Sequence, residues 1–182
     1  MTNEEKQLIK DCRIMIVGKD DFITYIKEEL GKLDFCNIEE VEIGENINGQ
    51  DTGILIEYTG SGLSQTSDMN SIPVIYPFDF VDGAGAIVVF PEDERDWLGK
   101  QNMRQWAAEY MSGYCAFWNV EGCDWLHDAL PAIKENKTSE AAMKTAAHIC
   151  ARIAANIAVG RDVKRYPHFY LVESGVWRAE KN

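Results

Sequence analysis

Apolar residues recur along the chain in two periods, and the changes between them predict the element order. "RIMIVG", Arg13 to Gly18, is a short unbroken apolar run ending in glycine, as expected of a buried strand. From Asp20 the spacing becomes helical: Phe22, Ile23, Ile26 and Leu30 share one face, and Gly31 is the expected stop. "EEVEIG" alternates and predicts a second strand. "TGILIEYTG" predicts a third, preceded by Asn48, Gly49 and Asp51 as turn residues.

The polar stretch "SGLSQTSDMNS" reads as a loop or a very short helix. "IPVIYPFDFV" and "AGAIVVFP" then predict adjacent strands joined through "DGAG". Helical character is expected from Glu92 onward, where Trp106, Tyr110, Tyr114, Phe117 and Trp118 form an aromatic stripe suited to a core or a subunit interface. The clearest helix runs from about Ser139 to Val159, roughly 31 Å long at 1.5 Å per residue. Its seam is Met143, Ala146, Ala147, Cys150, Ile153, Ala154 and Ile157, with Gly160 and Arg161 at its end. "HFYLVES" predicts a last strand. This order implies an α/β fold with a largely parallel, Rossmann-like sheet flanked by helices, in a single domain over 1–182.

Composition narrows the partners. With 18 Lys plus Arg against 30 Asp plus Glu, the net charge is -12, which opposes nucleic-acid binding. No run of about 18 apolar residues and no signal segment is present, so a cytoplasmic protein that does not span a membrane is expected. The five cysteines, Cys12, Cys36, Cys115, Cys123 and Cys150, contain no C-x-x-C pair and read as free thiols.

Each candidate for chemistry has a plainer reading beside it. Gly18 and Lys19 stand at a strand-to-helix turn where a backbone can cradle phosphate, but Asp20 and Asp21 follow and suit a helix cap instead. Thr59, Gly60, Ser61 and Gly62 follow a strand, as either a small pocket or a flexible connection, and match no Walker pattern. Asp79 and Asp82 are three apart, a spacing that sends extended side chains to opposite faces; Asp82 before Gly83 suits a turn. Glu92, Asp93, Glu94 and Asp96 read as an exposed acidic helix start. Cys115, Cys123 and His127 are the one grouping that hints at nucleophilic chemistry or zinc, without a known motif or a fourth ligand; no metal is expected.

"DTGILIEYTG", "IPVIYPFDFVDGAGAIVVFP" and "AAMKTAAHICARIAANIAVGRD" together resemble the ThiF/MoeB/HesA family of adenylating enzymes related to the ubiquitin activators, over roughly Asp51 to Val172, with "RIMIVG" as a weaker first strand. The resemblance implies a ThiF-like fold and a dimer or a ThiF-like partner. The family's ATP residues are another matter. Of its G-x-G-G-x-G loop only Gly18 is present, the second strand ends "EIGEN", and no S-N-L-N-R-Q-like segment follows. Its T-D-N reads Thr59-Gly60-Ser61, which puts glycine where the magnesium-binding aspartate stands, and its paired C-x-x-C zinc ligands are absent. The expectation is a ThiF-like protein without adenylating activity, needing no cofactor, whose aromatic stripe and Ala-rich helix contact a second copy or a partner subunit. The alternative is a divergent enzyme that binds ATP and magnesium through Gly18, Lys19 and Thr59 to Gly62 and adenylates a ubiquitin-like or sulfur-carrier protein.

Overall fold

The computed structural model describes residues 1–41, 53–58, 71–97 and 102–175. Helix α1 (Asn3–Asp11) leads into β1 (Arg13–Val17), α2 (Asp20–Lys32) and β2 (Asn37–Glu40). Next come β3 (Ile54–Glu57), β4 (Val74–Asp79) and β5 (Gly83–Val89). Helices α3 (Met103–Phe117), α4 (Asp124–Lys134) and α5 (Glu140–Ala158) precede the last strand, β6 (Tyr170–Glu173).

The strands form one sheet in the order β2-β1-β3-β4-β5-β6. β1 pairs parallel with β2 and β3, and β3 pairs parallel with β4, whereas β5 is antiparallel to both β4 and β6. The fold is therefore α/β with a mixed sheet, parallel on one side and antiparallel on the other. A three-residue connection between β4 and β5 is too short for a crossover and reverses the chain.

Alternation along the strands creates two cores. Ile14, Ile16, Ile54 and Ile56 face α2 and α5, while Met15, Val17 and Leu55 face α3 and α4. Helix α5 lies close over the sheet because both surfaces are small: Ala146, Ala147, Cys150 and Ala154 pack in the same cluster as Ala84 and Ala86 of β5. Its apolar seam is thus buried inside the chain except at the half-buried Ile157. Ser139 caps it, accepting the Ala142 N–H at 3.3 Å.

Several boundaries differ from expectation. Gly31 lies inside α2, where a Cβ would meet open space, and the helix ends beyond it. Asp34 takes the left-handed conformation (φ 70°), and Phe35 N–H returns to the Leu30 carbonyl at 3.2 Å. β2 begins earlier than the alternation suggests, and Gly83 is already strand rather than turn. There a Cβ would lie 2.4 Å from the Trp125 ring, so glycine admits α4 to the sheet. The acidic segment after Phe90 forms turns, not a helix start. Asp93 accepts the Phe90 N–H at 2.8 Å and, with Glu92, binds Arg165; those local and tertiary partners override the first-turn charge pattern. The expected turn at Asn48, Gly49 and Asp51 lies outside the described residues. Among the described residues no helix is long and apolar enough to cross a membrane.

Candidate functional site

Strand β1 has β2 on one side and β3 on the other, so the chain changes direction across the sheet at the C-terminal ends of β1 and β3. In open α/β sheets such a point is where a crevice for a ligand forms. Two sequence positions decide what this one holds. Gly18 follows β1, Tyr58 follows β3, and the Tyr58 N–H donates to the Val17 carbonyl at 2.9 Å.

The Tyr58 ring fills the position between them. It stacks on Phe22 of α2 with centroids 4.3 Å apart and planes 11° from parallel. A Cβ on Gly18 would sit 2.7 Å from the Tyr58 Cβ, so the glycine's bareness is used up by a side chain of the same protein. Lys19 is the N-cap of α2 and makes no side-chain cap bond, while Asp20 and Asp21 occupy the first turn without capping it. Their carboxylates still suit the positive end of the helix.

Behind Tyr58 lies a polar cluster. Asp79, at the end of β4, is 1% exposed, and its carboxylate accepts the Val81 N–H at 2.8 Å and the Ser139 N–H at 2.9 Å. Arg104 of α3 donates through Nε to the Asp79 carbonyl at 2.6 Å and through Nη2 to the Lys137 carbonyl, with Nη2 3.8 Å from Asp79 Oδ1. Burial pushes the Asp79 carboxyl up, and the two backbone donors, Arg104 and Lys19 pull against it without prevailing. The Tyr58 phenol is likewise held high, first by burial and then by the charge of Asp79. Asp79 and Asp82 do not act as a pair: Asp82 sits in the β4–β5 turn, its N–H donating to the Phe80 carbonyl at 2.8 Å.

Cys115, Cys123 and His127 do come together. They line a cavity of about 710 Å³ together with Asp124 and Asp128. Burial, and then the neighbouring Cys123 thiol, push the Cys115 thiol up to about 12, which keeps it protonated and poorly nucleophilic at neutral pH. Among the described residues no group of three or more His, Cys, Asp and Glu side chains is placed to hold a metal ion.

A larger cavity, about 890 Å³, opens beside β6. Ile149 and Arg152 of α5 line it from one sheet face and Tyr114 of α3 from the other, with Leu171 and Val172 between. Lys164 and His168 add polar groups at one end and Glu173 at the other. His148 also lines it, bonded through Nδ1 to Glu29 at 2.8 Å.

Thr59, Gly60, Ser61 and Gly62 lie outside the described residues. Gly18 and Lys19 lie at the turn between β1 and α2, but sequence reading overlooked Tyr58, Arg104 and Asp79's burial. An aromatic residue after an apolar run, or an arginine early in a helix, carries no signal of the partner it meets across the fold. No family model matches the chain, and no curated protein is similar to it.

Proposed function

We propose that the chain is a ThiF-like, Rossmann-like protein without adenylating activity, acting as a dimer or as the non-catalytic subunit of a larger assembly. One observation carries this reading: the Tyr58 ring, stacked on Phe22 and pressed against Gly18, takes the crevice a nucleotide's phosphates would enter. Adenylation concentrates charge on transferring phosphates and depends on positioned cations and N–H donors. Here Asp20 and Asp21 head the helix that faces the crevice, and Arg104 is engaged with the Asp79 and Lys137 carbonyls.

Parallel pairing from β2 through β1 and β3 to β4, with helices on both faces, supports the Rossmann-like part of this reading. Free cysteines at Cys12, Cys36, Cys115, Cys123 and Cys150 fit a cytoplasmic, reducing setting.

Calorimetric titration with magnesium ATP tests the proposal. The expected result is no saturable heat and no rise in Tm. Saturable binding that Lys19→Ala weakens severalfold would replace this reading with a divergent activating enzyme acting on a ubiquitin-like or sulfur-carrier protein.

A further inference from the structure

Two of the five free thiols are neighbours, and the fold makes them so. On α3 the buried residues Ala108, Met111, Ser112 and Cys115 recur at spacings of three and four, and Ala108 and Met111 share one core with Leu126, Ala129 and Ile133 of α4. Cys115 therefore ends the stripe that faces α4. The connection then doubles back. Val120 N–H returns to the Cys115 carbonyl at 2.9 Å across Asn119, which takes the left-handed conformation (φ 49°), and Gly122 turns the same way (φ 80°). This path delivers Cys123 to the N-cap of α4. Both cysteines line both cavities, and the Cys123 thiol is the hydrogen-bonding neighbour of the Cys115 thiol.

Access separates the two. Cys115 is 7% exposed, whereas Cys123 is half-buried and opens onto the cavities. Residues 116–122 between them are all exposed. Little packing therefore resists the adjustment that a disulfide requires, with its sulfurs about 2.05 Å apart. The segment that such a bond would close carries Phe117, Trp118 and Val120, three large apolar side chains that face solvent.

We propose that Cys115 and Cys123 are a redox modification site, forming a reversible disulfide by exchange with a low-molecular-weight disulfide such as glutathione disulfide. The Cys123 thiolate attacks one sulfur of glutathione disulfide, so a mixed disulfide forms and one glutathione thiolate leaves. Cys115 then releases its proton to solvent through the smaller cavity, its sulfur attacks that of Cys123, and the second glutathione thiolate is expelled. Two protein thiols lose two electrons, and one glutathione disulfide is reduced to two thiols. The order follows from access: the reachable thiol reacts first, and the buried one, which burial keeps protonated, resolves the mixed disulfide formed beside it. The bond ties the end of α3 to the start of α4 and fixes the exposed apolar segment between them. In a reducing compartment it is transient, which suits a response to oxidation rather than a permanent brace. None of this depends on whether the chain binds a nucleotide.

The test is to incubate the full chain in glutathione buffers of rising disulfide content, alkylate the remaining thiols and map the peptides by mass spectrometry. Wild type is expected to show a Cys115–Cys123 bond, no glutathione held on Cys123, and return of both thiols with dithiothreitol. Cys115→Ser should trap glutathione on Cys123, and Cys123→Ser should leave Cys115 unmodified. Wild type that holds glutathione on Cys123 beside a free Cys115 overturns the inference. So does wild type that leaves both thiols free in buffers that modify the exposed Cys36. Circular dichroism checks that the variants fold, and the wild-type map decides the question without them.

Discussion

The Asp79 carboxylate at the end of β4 accepts the backbone N–H of Ser139 at 2.9 Å, tying a sheet terminus to the first turn of α5 across 60 residues of sequence. The same carboxylate accepts the Val81 N–H, where the chain takes φ 68° to begin the hairpin. One buried side chain therefore organises two neighbouring connections, and desolvation raises its pKa despite them.

A pH dependence follows. Because the folded-state pKa lies above its ordinary 3.8, the native state binds the proton more tightly than the unfolded chain does. The resulting stabilisation is complete below the ordinary value and is lost as pH rises through the raised one. Asp79→Asn does not titrate, so the Tm of wild type minus that of the variant should fall as pH increases across this window. A difference that grows with pH would mean that the Arg104 and N–H contacts dominate over burial.

Gly18→Ala should destabilise by about 1–3 kcal/mol, since its Cβ would lie 2.7 Å from that of Tyr58. Denaturant unfolding of a double-mutant cycle checks the cause. Tyr58→Gly should relieve the added cost, whereas Tyr58→Ala, which keeps the obstructing Cβ, should not.

The aromatic stripe of α3 divides into two kinds of residue. Trp106 is half-buried and stacks on the buried Trp97 at 5.4 Å, so Trp106→Ala should cost about 2–3 kcal/mol. Trp118→Ala should leave the stability of the protomer within about 0.5 kcal/mol. Thermal unfolding of both variants measures the difference; equal losses would refute the division.

Arg165 grips Asp93 through two bonds, 2.9 and 2.6 Å, and covers the Phe90 ring at 4.1 Å, joining the end of β5 to the segment before β6. Arg165→Ala should cost about 1–2 kcal/mol, less in high salt because the group is partly exposed. Arg165→Lys should recover only part, lacking the planar fork. Urea midpoints at low and high salt measure both effects.

Local pattern alone determined much of the architecture. Apolar runs bounded by glycine and turn residues located the strands at Ile14, Ile54, Val74, Ala86 and Leu171, and helical spacing located the long helix from Ser139, because both signals arise from backbone geometry within each element. It also placed Gly18 and Lys19 at a strand-to-helix turn, and it put Cys115, Cys123 and His127 close enough in sequence to share a cavity. What fills the turn, what protonates the thiol and which surfaces remain open were decided elsewhere. Tyr58 reaches Phe22 only because β3 lies beside β1, and Asp79 meets Ser139 only because α5 crosses β4. Burial of the α5 seam and exposure of the β6 edge likewise follow from layer order, since packing between elements distant in the chain leaves no period in the sequence of either one.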